Sequence, residues 1–144
     1  MKFIVPFLMA LLLVGCGGGD SSSGGGGVFA GTYSGSGSAT LSAPGASSNV
    51  VGFTFTVTIN VAGVVTYTDS AGGFFTGTMV GNSFSLNPRG SKIFGLSSCT
   101  NTVSLAGTIN GINLVGTISG NNVVCFGVPA QPLTVTGSFS GTSS

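Results

Sequence analysis

Apolar and polar residues alternate one for one along much of this chain, most tightly between residues 53 and 61. Phe53, Phe55, Val57, Ile59 and Val61 are separated by Thr54, Thr56, Thr58 and Asn60. A period of two places one set on one face of an extended strand and the other set on the opposite face. Ala62-Gly63 interrupts the pattern and Val64-Val65-Thr66-Tyr67-Thr68 resumes it, so residues 51–68 read as a hairpin. Residues 74–80 and 83–87 flank Gly81-Asn82 in the same way, with Pro88 closing the second segment. Val103, Leu105 and Ile109 alternate up to Asn110-Gly111, a strong hairpin signal. Ile112, Leu114 and Ile118 continue to a predicted turn at Gly120-Asn121-Asn122, and strands over 123–128 and 133–139 complete the series around Pro129 and Pro132. An early strand is expected near residues 28–41, where frequent glycines predict twist or a bulge.

Eight or nine short strands joined by tight turns define an all-β fold. Gly77-Thr78-Met79-Val80-Gly81, Gly107-Thr108-Ile109-Asn110-Gly111 and Gly116-Thr117-Ile118-Ser119-Gly120 repeat one shape: a glycine, a strand-favouring threonine, an apolar residue, and a second glycine for the turn. Consecutive hairpins of this kind predict a single antiparallel up-and-down β-barrel, a meander like that of lipocalins, with a β-sandwich as the alternative. Composition strengthens the barrel. Charged residues make up 3% of the chain, against about 25% in ordinary soluble domains. With so few charges to guard an exposed strand edge, closing the sheet on itself is the favourable solution. The low charge also removes the basic patch that nucleic-acid binding requires.

The first sixteen residues follow a different logic. Lys2 precedes an apolar stretch over residues 3–14, too short to span a bilayer and suited to the hydrophobic region of an export signal. Leu13-Val14-Gly15-Cys16 then resembles the lipobox of bacterial lipoproteins: a branched apolar residue, a small or apolar one, Gly or Ala, and an obligatory Cys. The resemblance implies cleavage between Gly15 and Cys16 and attachment of diacylglycerol to the Cys16 thiol, with fatty acyl chains such as palmitate. Dual or triple acylation gives stable membrane anchoring. Gly17 stands where, in the best-known sorting rule for such lipoproteins, Asp retains the protein in the inner membrane, so the resemblance further implies the outer membrane. Residues 17–27 are Gly and Ser apart from Asp20. Such a linker spans roughly 17–20 Å on average. The expected organisation is a cleaved signal over 1–15, a lipidated Cys with linker over 16–27, and one β domain over 28–144.

Cys99 and Cys125 remain once Cys16 is assigned to lipid. In an exported chain the pair is expected to form a disulfide. A metal site is not expected, because the chain has no His and no carboxylate cluster. The same inventory argues against an enzyme. No His can activate a Ser, and Asp69 has no second carboxylate in the β domain, so triad hydrolysis and two-carboxylate glycoside cleavage are excluded. No cofactor is implied. The loop Pro88-Arg89-Gly90-Ser91-Lys92 carries the domain's cations and reads as a solvated turn.

Two functional expectations follow. One is a neutral β domain displayed in the cell envelope for a structural or interaction role, with an envelope protein as partner. The other is a carrier holding a small apolar ligand inside the barrel. Phe53, Phe55, Ile59, Leu105, Ile109, Leu114, Val135 and Phe139 share the inward parity and would line that ligand or simply fill the core. Eight strands enclose an interior just wide enough for either outcome. Residues 53–61, uncharged and free of proline, also form an aggregation-prone segment that the fold must protect.

Overall fold

The computed structural model describes residues 29–100 and 102–144; the signal-like segment, Cys16 and the linker lie outside the described residues. Nine strands follow one another: β1 (Gly31–Ser42), β2 (Asn49–Ile59), β3 (Val64–Asp69), β4 (Phe74–Val80), β5 (Ser83–Pro88), β6 (Cys99–Thr100), β7 (Ser104–Asn110), β8 (Asn113–Cys125) and β9 (Leu133–Ser143). Each pairs antiparallel with its neighbours in the order β8-β7-β5-β4-β3-β2-β1-β9, and β9 returns to β8. Eight strands therefore close into an up-and-down barrel, and the two-residue β6 pairs only with the far end of β8. The barrel, rather than the sandwich, is the architecture.

The alternation seen in the sequence becomes inside and outside. Phe53, Phe55, Val57 and Ile59 of β2 are buried while Thr54, Thr56 and Thr58 face solvent. Outward hydroxyl residues pair with one another around the wall, as in Ser34↔Thr56, Thr56↔Thr68, Ser36↔Ser140 and Ser38↔Ser138. Thr and Ser favour or tolerate the strand and solvate it without charge.

Two sequence expectations are corrected. Gly120-Asn121-Asn122 is not a turn but a bulge inside β8: the register with β9 slips between Gly120 and Val123, and Asn122 takes a φ of 55°. Pairing resumes at Val123↔Leu133, so the residues expected to begin a new strand at 123 are the end of β8. The glycines of β1 do not produce a bulge either. β1 keeps one unbroken register with both β2 and β9.

Gly37 of β1 serves the interior instead, together with Gly107 of β7 and Gly116 of β8. Phe84↔Gly107, Gly107↔Gly116, Gly116↔Phe139, Phe139↔Gly37 and Gly37↔Phe53 form one continuous row of paired residues across six strands. A Cβ on Gly107 would lie 2.2 Å from the Phe84 ring, one on Gly116 2.1 Å from Phe139, and one on Gly37 2.6 Å from Phe53. Each large ring therefore lies over the bare backbone of the next strand. This is how a small barrel accommodates many phenylalanines at close packing.

The two ends of the barrel differ. Tight connections after β2, β4 and β7 make a turn end. Asn60 Oδ1 accepts from the N–H groups of Ala62 and Val64, and Gly81 and Gly111 supply positive φ to the two-residue turns. The chain enters β1 at this end, and Ser144 N–H donates to Thr32 O beside it. The longer connections after β1, β3, β5 and β8 gather at the opposite, loop end.

Candidate functional site at the loop end

The connection from β5 to β7 crosses the loop end as a strap. Its centre is a tight turn in which Ile93 N–H donates to Leu96 O at 3.0 Å and Leu96 N–H to Ile93 O at 2.8 Å. The two central residues, Phe94 and Gly95, have φ of 43° and 85°. Positive φ at both centres is the geometry of a type I′ turn, normally built from Asn, Asp and Gly. A bulky Phe in that region is a genuine outlier and must be held there by its surroundings. The holding contacts are visible. Phe94 and Ile93 are fully buried, and the Phe94 ring sits 5.4 Å from that of Phe53. Gly95 N–H donates to Ala71 O at 3.0 Å, and Arg89 N–H donates to Phe74 O at 2.8 Å.

Three further devices fix the strap and the connections around it. Cys99 and Cys125 sit directly opposite each other in β6 and β8 and form the expected disulfide. Gln131 secures the neighbouring β8–β9 connection, its amide donating to Cys125 O at 2.8 Å while its Oε1 accepts from Cys125 N–H at 3.0 Å. Asp69 organises the β3–β4 turn that receives the strap: its Oδ1 accepts from the N–H groups of Ala71 and Gly73, both at 2.9 Å.

Between the strap, the β1–β2 connection and the β8–β9 connection lies an apolar cleft of about 180 Å³. Leu41, Phe94, Leu96, Val128 and Leu133 form its walls, and Ala43, Ala46 and Ala130 leave it open by virtue of their size. Ser47 and Asn49 supply its polar lining. Nearby, Phe126 is 88% exposed, the most exposed large apolar residue described. Lys92 packs its stem beside Gly72, and Arg89 Nε donates to Thr76 Oγ1 at 2.6 Å, so neither cation lines the cleft.

The residues expected to line a ligand inside the barrel are all interior, but they pack against other side chains. Phe55 meets Phe139 edge-on at 5.1 Å and stacks on Tyr67 at 5.7 Å; Tyr67 also meets Phe139 at 5.5 Å and Phe75 at 5.6 Å. Ile59, Ile109 and Leu114 are buried near the turn end, and Leu105 and Val135 are fully enclosed. The interior holds two polar loose ends. Tyr67 Oη and Asp69 Oδ2 are buried and neither meets a hydrogen-bond partner among the described residues. Burial, reinforced by the negative charge of Asp69, holds the Tyr67 hydroxyl well above the usual phenol range.

Sequence reasoning placed the disulfide and the interior set but missed the strap and the cleft. A signal was present: Ile93, Phe94 and Leu96 are apolar residues in a connection otherwise polar from Arg89 to Ser98. Such residues in a loop need a surface to cover. By its fold the chain is a closed eight-stranded antiparallel barrel with a strapped mouth. It matches no protein-family model, and a search of curated proteins returns no match.

Proposed function

We propose that this chain is an outer-membrane lipoprotein, anchored through lipid on Cys16, that presents a neutral β-barrel for a structural or interaction role in the cell envelope. The carrying observation is the polarity of the domain. The linker over residues 17–27 leads into β1 at the turn end, so lipid on Cys16 would leave the loop end facing away from the membrane. That free end carries the cleft, the strap and the exposed Phe126, while the exposed apolar residues of the turn end, Val61, Val80 and Ile112, would face the head groups. The hydroxyl-covered, nearly uncharged wall suits a domain held close to head groups without attraction to them.

The test is intact mass and detergent partitioning of the full-length protein expressed with its signal, against Cys16→Ser. The wild type should carry the mass of two or three acyl chains and partition into detergent, and the variant should lose both properties. Equal partitioning of the two would overturn the anchor. With the anchor in place in vesicles, a quencher carried on the lipid head groups should quench a fluorophore on Phe126→Cys less than one on Ile112→Cys at the turn end; the opposite order would reverse the orientation.

A further inference from the structure

We infer that the loop-end cleft is a binding site for a small, uncharged, ring-sized apolar molecule, and that Phe94 is the chain's own occupant of its inner wall. The inference does not depend on the lipid anchor. It rests on three features of the site itself.

The first is chemical. The walls are Leu, Val, Ala, Pro and Phe, and among the described residues no charged group lines the cleft and the polar lining is confined to Ser47 and Asn49. A charged ligand would lose its hydration there without a counter-charge, whereas an apolar one gains by leaving water. The second is size. Apolar cavities of about 150 Å³ take a benzene ring, and this cleft offers about 180 Å³. The third is conformational. Phe94 is held at a φ of 43° in a turn that favours Asn or Gly, and its ring is driven against Phe53 at the edge of the same cleft. The buried Phe94 ring thus forms a fixed aromatic wall against which a second ring can pack. The strap is anchored on both flanks, by the Arg89 N–H···O Phe74 bond and by the disulfide at Cys99, so Phe94 is the side chain that sets the depth of the cleft. The barrel axis itself is filled by the Phe55, Tyr67, Phe75 and Phe139 rings, so a ligand belongs at the mouth.

Indole is a clean probe, because the chain contains no Trp and indole emission is free of protein background. The mature chain with Cys16→Ser avoids detergent, which would compete for the probe. Indole should bind saturably with one-to-one stoichiometry. The methyl resonances of Leu41, Leu96, Val128 and Leu133 should shift while those of Val57 and Leu114 stay in place. Indole carboxylate should bind at least tenfold more weakly. Ala130→Phe, which fills the cleft, should weaken indole at least tenfold. Phe94→Ala, which deepens it, should tighten naphthalene at least tenfold. Should Phe94→Ala fail to fold, Phe94→Leu serves, with a smaller gain of about threefold. Absence of saturation up to the solubility limit of indole, shifts centred on the barrel interior, or unchanged binding in Ala130→Phe would each overturn the inference.

Discussion

Gly116→Ala tests the packing rule on which the barrel depends. Gly116 lies between Gly107 of β7 and Phe139 of β9, and an added methyl would stand 2.1 Å from Cζ of Phe139 and 2.6 Å from Cε1 and Cε2. Carbon atoms pack at about 3.5–4.0 Å, so the ring would have to retreat by roughly 1.4 Å or more. Its retreat is opposed by Phe55 and Tyr67, whose ring centroids stand 5.1 and 5.5 Å away. Overpacking of this kind costs about 1–3 kcal/mol. Removing a glycine from the unfolded chain offsets about 0.4–1 kcal/mol of that. The net loss should be about 1–2 kcal/mol, or roughly 5–10 °C in Tm. Gly52→Ala is the internal control. It sits on the outer side of β2 with nothing within 4 Å of the added methyl and no positive φ, so it should be neutral or slightly stabilising. Urea unfolding of these two variants, of Phe139→Leu and of Gly116→Ala/Phe139→Leu completes the assay. The double variant should lose less than the sum of its parts, because the smaller side chain makes room for the methyl. If Gly116→Ala unfolds within 0.3 kcal/mol of Gly52→Ala, about the error of such comparisons, the ring-over-glycine account is wrong.

Two further predictions concern the strap and the buried phenol. Cys99→Ala/Cys125→Ala opens a loop with a sequence separation of 26 and should cost about 3.5 kcal/mol by the chain-entropy model. Amide exchange at Gly95, whose N–H is bonded to Ala71 O, should rise ahead of exchange in β2; a loss below about 1 kcal/mol with Gly95 still protected would contradict the anchoring role. Tyr67 is held above its ordinary range by burial and by Asp69, so the folded state favours the neutral phenol. Its contribution is therefore fully present below the unfolded value of about 10 and declines above it, as the unfolded chain sheds the proton that the native state retains. Urea midpoints should fall from pH 9 to 11, and Tyr67→Phe should flatten that decline without lowering stability at pH 7, since it also removes an unpartnered hydroxyl. A native Tyr67 that titrates like a free phenol would refute this.

The strands were legible because burial on one face writes itself into the sequence with a period of two, and β2 carries that signal from Phe53 to Ile59; Val61, expected to continue it, lies in the turn and is exposed because the strand ends at Ile59. The barrel was legible because consecutive hairpins leave few other ways to cover the inner face. The disulfide followed from the two cysteines left in a chain read as exported. The errors have physical sources. Gly120-Asn121-Asn122 has turn composition, yet a bulge asks for the same residue types, and only the β9 partner distinguishes the two. The glycines of β1 suggested local irregularity, but the role of Gly37 is set by Phe53 and Phe139 on neighbouring strands. That is pairing information, which no single segment contains. The strap was invisible for a related reason. Ile93 and Phe94 are buried by the mouth of a barrel that exists only after closure, and the αL conformation of Phe94 runs against its own local preference.

Closure also explains how a chain with almost no charge can carry a segment as strongly β-forming as residues 53–61. Every residue from Phe53 to Ile59 is paired with β1, and Phe55 to Ile59 are paired with β3 as well, so the segment has no free edge over most of its length. Where β3 turns away, Ser70 ends the ladder: its N–H donates to Thr54 O at 2.9 Å, and its hydroxyl accepts from Thr54 N–H at 3.0 Å. Beyond that point the main-chain groups of Val50 and Gly52, on the same side as those of Thr54, have no strand partner among the described residues. Charges, which usually discourage edge-to-edge pairing, are absent there. Brevity takes their place: two residues, one of them glycine, offer too short a template for a stable added strand. The protection is thus topological rather than electrostatic, and it holds only while the barrel stays closed.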